Sequence, residues 1–147
     1  MIKFIKILPL LLLVGAGGLF GYQKVNTKTT VADWIGEYNI SKVHLAERKY
    51  LFKKHHIKGA YFSSAGSISI LLNSDFTFNS LQVAGNNDTI NYNGKWELIN
   101  EKPLLHFLNK QYYLNQLPLT GKVYYYEKVK TCEGDTINHF AVFKKIE

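Results

Sequence analysis

From Ser67 to the C-terminus, short runs of β-branched and aromatic residues alternate with clusters of Asn, Asp, Gly and Ser, the punctuation of successive antiparallel hairpins. Strands are predicted over 67–72 and 76–81 around Asn73, Ser74 and Asp75, then over 89–92 and 95–99, with Asn93-Gly94 as a two-residue hairpin turn between them. A further strand over 104–108 follows Pro103, and Pro118 and Gly121 bracket the next connection. The last hairpin pairs 122–130 with 137–146 across 131–136, where Gly134 supplies a positive φ. Alternation sets Ile68, Ile70 and Leu72 on one face, as it does Phe76 with Phe78, Trp96 with Leu98, and Phe140 with Val142 and Ile146. Strands with one buryable face each must close into a barrel or stack as a sandwich, because an open sheet leaves edges unpaired.

The segment 41–59 breaks this pattern. It is rich in Lys, Arg, Glu, Leu and Ala, begins at a possible N-cap, Ser41, and stops at Gly59, so one helix is predicted near 42–58. Val43, Ala46, Tyr50 and Ile57 form its apolar stripe, and Leu45, Leu51 and Phe52 fall off it.

Residues 1–22 open with Met1, Lys3 and Lys6 and continue in an uncharged apolar run, the form of an export signal. The run is longer than a minimal signal core and shorter than the roughly 20 residues of a membrane-spanning helix, so it acts either as a cleaved signal peptide or as an N-terminal hydrophobic anchor helix over 4–22. Either role places the following domain outside the cytoplasm, periplasmic or extracellular. The polar stretch 23–30 is a linker, and 31–147 is one domain, since a chain of 147 residues has room for a single core. Cys132 is the only cysteine, so no intrachain disulfide supports the fold, and a half-buried thiol is expected.

Asp33, Trp34, Gly36 and Tyr38 open this domain, Asp75, Thr77 and Phe78 lie mid-chain, and Gly94 and Trp96 follow. In that order these residues resemble the small exported lipocalin-like domains of bacteria. In these an opening strand carries Gly two residues before an aromatic, a hairpin reads Asp-Gly-Thr-Phe, and the next strand begins Gly-x-Trp. Phe76 stands where the family has the hairpin Gly. The resemblance implies a mainly β fold, an antiparallel up-and-down barrel, and it implies no single activity.

No nucleophile elbow, phosphate-binding loop or His-Glu-x-x-His motif occurs, so nothing in the sequence points to an enzyme or a cofactor. His44, Glu47, His55 and His56 lie close together, but adjacent histidines on a helix diverge and Lys53, Lys54 and Lys58 repel a cation, so no metal site is predicted. Tyr124, Tyr125 and Tyr126 with Lys128 and Lys130 have the makings of a stacking platform, yet an exported domain rarely meets nucleic acid. Two readings remain. In the first, Phe78, Trp96, Tyr125 and Phe140 point inward and line a pocket for a small apolar ligand, without catalysis. In the second, the basic segment 42–58, with six basic residues against one acidic, meets an envelope protein or membrane surface through Arg48, Lys49, Lys53, Lys54 and Lys58, as an inhibitor or immunity-type factor would.

Overall fold

The computed structural model describes residues 29–63, 68–83 and 88–147; the segment 1–22 and most of the linker lie outside the described residues. The elements are α1 (Val31–Trp34), β1 (Gly36–Ile40), α2 (Leu45–Lys54), β2 (Tyr61–Phe62), β3 (Ile68–Leu72), β4 (Thr77–Val83), β5 (Thr89–Ile99), β6 (Lys102–Phe107), β7 (Lys110–Tyr113), β8 (Asn115–Gln116), β9 (Val123–Lys130) and β10 (Thr136–Lys145). The sheet runs β7-β6-β5-β4-β3-β1-β10-β9-β8, antiparallel throughout, with β2 added parallel to β10. The first strand lies between β3 and the last strand, so the sheet curls into a nearly closed barrel, mainly β as the alternation requires and consistent with a lipocalin-like fold.

The last step of closure differs between the two ends. At the lower end, the Leu114 amide donates to the Pro103 carbonyl at 2.9 Å. The next residues, in β8, then pair with Val123 and Tyr124 of β9. A single stretch of chain thus leaves β6 and joins β9, stitching the cylinder. Among the described residues no ladder joins β7 to β9 above this point, and side chains meet across the seam instead.

Inside lie Tyr38, Ile70, Leu72, Phe78, Trp96 and Phe143, with Trp34 of α1 plugging the lower end. The Tyr38 hydroxyl donates to the Trp34 carbonyl at 2.7 Å, fixing the plug to the first strand. Burial lifts this phenol to about 12, with a small push from Asp33. Trp96 donates its indole N–H to the Asn73 carbonyl at 3.0 Å, anchoring the β3–β4 turn beneath the core.

The opposite face of β9 and β10 is not left to solvent. Tyr124, Tyr126, Phe140 and Val142 pack there beneath α2, with Leu51, Val43, Ile57 and Phe62. Each large apolar side chain so covered contributes about 1.5–3 kcal/mol. The helix is shorter than its sequence suggests, starts after His44 rather than Ser41, and buries Glu47 and Leu51 while Ala46 is exposed. The rotation has a physical cause: the Glu47 carboxylate accepts from the His44 amide at 2.8 Å, capping the helix, and turns inward to Lys122 at 3.2 Å and the Thr120 hydroxyl at 2.8 Å.

Two other expectations are corrected. Asn93-Gly94 is not a turn: β5 is one continuous strand through it, and residues 89–95 pair with β4. Cys132 sits exposed in the β9–β10 turn rather than half-buried.

Phe76, standing where the lipocalin-like pattern has Gly, has φ of 64°, and its half-exposed ring leans on Trp96 at 5.3 Å. A non-glycine residue in this conformation costs about 1–2 kcal/mol, which the ring contact offsets. Phe76→Ala keeps the strain and loses the contact, so it should cost about 1 kcal/mol, whereas Phe76→Gly loses both and should be closer to neutral. Urea denaturation of the two variants checks this order, and an alanine variant more stable than the glycine one would refute it.

Candidate functional site

The inward positions of the upper half leave a cavity of about 210 Å³, open at the top. Its apolar wall is Ile68 and Ile70 of β3, Phe78 of β4, and Leu105 and Phe107 of β6. Its polar wall is Ser80 and Gln82 of β4, Tyr92 of β5, Tyr112 of β7, and Tyr125 and Glu127 of β9. Alternation explains the set: in β3, β4, β6 and β9 the contributors are two residues apart, on the face that carries the core below.

The rings are ordered against one another. Tyr92 meets Phe107 edge-on at 4.6 Å, and Tyr112 meets Tyr125 at 5.4 Å across the unpaired seam. The seam is further tied by Glu127, which acts on the Tyr112 phenol and lies 3.9 Å from the Lys110 ammonium. Burial first, and then the negative charge of Glu127, push the Tyr112 phenol up to about 12. Tyr125 is pushed up as well, by burial and then by Glu127 and its tyrosine neighbours. Both phenols are therefore neutral hydrogen-bonding groups at physiological pH.

Above them, Ser63 lies 2.7 Å from His139 Nε2, and Glu127 Oε1 lies 3.4 Å from His139 Nδ1. A carboxylate only accepts, so Nδ1 carries the proton, and in the neutral ring Nε2 accepts from the Ser63 hydroxyl. The order hydroxyl, imidazole, carboxylate is that of a hydrolytic triad, but the carboxylate link is long and the Ser63 amide is already committed to the Phe140 carbonyl at 2.9 Å. The chain of contacts instead pins β2 to the rim and holds Glu127 at the cavity.

Comparison with protein-family models and with curated proteins gives no match to this sequence. What the site does therefore rests on its geometry.

Of the residues singled out by sequence, Phe78 and Tyr125 line the cavity, and Trp96 belongs to the same interior without lining it. Phe140 is on the other side of the wall, stacked on Phe62 at 5.4 Å beneath α2. The hairpin register decides this. Phe140 pairs with Tyr126 and Ala141 with Tyr125, and partners directly opposite share a face, so Phe140 and Tyr125 point in opposite directions. The three consecutive tyrosines are all spent on packing, Tyr125 inward and Tyr124 and Tyr126 under the helix.

The basic segment is also partly spent. Arg48 lies over the Phe62 ring at 4.9 Å, and Lys54 over Tyr50 and Tyr124 at 5.6 and 5.5 Å, although both remain exposed, as are Lys49, Lys53 and Lys58. His55 is not a solvated surface residue: it stands 3.1 Å from the Tyr124 hydroxyl and 4.6 Å from the Tyr126 ring, where burial, then Lys54 and His56, hold it below its ordinary value. Among the described residues no three metal-binding side chains gather.

Proposed function

We propose that this chain is an exported lipocalin-like binding module that takes a small apolar ligand into the open end of its barrel. The observation that carries it is the cavity at the β7–β9 seam, where a close-packed interior gives way to an open space walled by aliphatic and aromatic side chains. Its volume is below the roughly 300–1,000 Å³ of drug-sized sites and above the roughly 150 Å³ that admits benzene, which points to a ligand of one ring or a short chain. The basic start and apolar run of residues 1–22 support export, as a secreted domain or one held at the membrane. Binding rather than catalysis is supported by the commitment of the Ser63 amide, which leaves the Ser–His–Glu contacts without that oxyanion donor.

The test is titration of the full chain with toluene, phenol and short alcohols by calorimetry or NMR, beside a Ser80→Phe variant that fills the cavity. Toluene-sized probes should bind with Kd of about 0.1–1 mM, and the filled variant should lose that binding. Absence of binding to the natural chain, or equal binding to the filled one, would overturn the reading.

The second reading, contact with an envelope partner through the basic segment, keeps one supporting observation: Lys49 and Lys53 of α2 and Lys58 beyond it remain exposed.

A further inference from the structure

Resting on that reading, we infer that the cavity selects an organic cation, an ammonium group carrying methyl or short alkyl substituents, over a neutral ligand of the same shape. The inference comes from what surrounds the open space. Tyr92, Phe107, Tyr112 and Tyr125 offer aromatic surface from four different strands, with ring pairs set edge-on or tilted rather than stacked shut. Aromatic faces attract a cation through their quadrupole, and the attraction grows as the cation is desolvated. Glu127 is the one charged side chain lining the cavity among the described residues, and it is flanked by Tyr112, by His139 at 3.4 Å and by Lys110 at 3.9 Å. Aromatic walls with one carboxylate solvate an alkylated ammonium, which is too bulky and too weakly hydrogen-bonding for an ordinary ion-pair site.

The charged and titratable groups facing this carboxylate are Lys110 from β7 and His139 from β10. The Lys110 side chain is two-thirds exposed and stands 3.9 Å from Glu127 on the solvent side, so it competes with a ligand cation without filling its place. The upward push that Glu127 exerts on the Tyr112 and Tyr125 phenols has the sign of a site that favours positive charge.

Phenyltrimethylammonium and tert-butylbenzene have the same shape and differ in charge, and are the probes to titrate into the full chain. The cation should bind about tenfold more tightly than the neutral isostere. Glu127→Gln should reduce cation affinity about tenfold and shift the neutral probe by less. Lys110→Ala should raise cation affinity about two- to fivefold by removing the competing ammonium, a gain that misfolding cannot produce. Binding of tert-butylbenzene as tight as that of the cation would overturn this inference and leave the apolar-ligand reading standing. Binding of neither probe would overturn both.

Discussion

Replacing Gly94 by alanine is expected to destabilise the barrel by about 3 kcal/mol or more, a large share of the roughly 5–15 kcal/mol that holds a domain of this size. The reason is space, not backbone freedom. An added Cβ at position 94 would run into the His106 carbonyl oxygen and lie 2.5 and 2.9 Å from two atoms of the Phe78 ring. The carbonyl cannot retreat without breaking the β5–β6 ladder beside Lys95, and the Phe78 ring, 3% exposed, has nowhere to swing. Gly59 is the control: its added Cβ meets nothing within 4 Å, so Gly59→Ala should be neutral or stabilise by about 0.4–1 kcal/mol. Urea midpoints for the two variants make the comparison, and a Gly94→Ala midpoint matching that of Gly59→Ala would contradict it.

The second large effect belongs to Glu47, a carboxylate only 1% exposed under the helix it caps. Burial alone would raise its pKa, but the His44 amide, the Thr120 hydroxyl and the Lys122 ammonium together outweigh burial and hold it below the ordinary carboxylate value. Removing one partner leaves the other charge buried, so Glu47→Ala and Lys122→Met should each cost about 3–5 kcal/mol, and the double substitution less than their sum.

The pH dependence follows with a definite sign. A carboxylate whose folded pKa is depressed contributes stability above its unfolded value, near 4.5, and loses it as pH falls through the folded value. His55, depressed from 6.5, acts in the same direction at higher pH: its contribution is present above 6.5 and fades as pH falls toward the folded value. Stability should therefore decline in two steps on acidification, and Glu47→Gln should shrink the lower step only, the remainder belonging to Asp33 and Asp75, whose carboxylates are also held below their ordinary values by hydrogen bonds from Thr30 and Thr77. Thermal melts across pH 3–8 read this; an acid limb unchanged in Glu47→Gln would rule out the assignment.

How far the sequence reveals this protein depends on which signals are local. Period-two alternation marks Ile68, Ile70 and Leu72, and the 131–136 turn marks the final hairpin with Gly134 at φ of 91°. Asn93-Gly94 misleads because its preference for a turn is weak beside the ladders on both sides, and because Gly94 is needed for the approach of Phe78 and the β6 backbone. That false turn also hides part of the site. With β5 taken as one strand, Tyr92 falls four residues from Trp96 on the same face. Glu127, two residues from Tyr125 in the last hairpin, is legible without that step. Tyr112 and Phe107 are less legible, since nothing local says that β7 leaves β9 unpaired at the top.

The inward stripe of α2, Glu47 and Leu51, is set by long-range chemistry. Glu47 reads as a solvent-facing residue until Lys122 and Thr120, far along the chain, are brought beneath it. The place of Phe140 was within reach of register arithmetic, because the hairpin that puts Tyr125 inside puts Phe140 outside.

A ligand that enters the barrel and one that rests on its surface meet different faces of the β3–β4 hairpin, which contains its own control. Ile68 and Ile70 line the cavity while Leu71 and Leu81 are exposed on the outer face of the same two strands. The decisive measurement is a methyl-labelled NMR experiment on the full chain with toluene, observing which methyl groups show nuclear Overhauser contacts to the ligand. Contacts to Ile68 and Ile70 are expected; contacts to Leu71 and Leu81 instead would place the ligand outside and contradict the account.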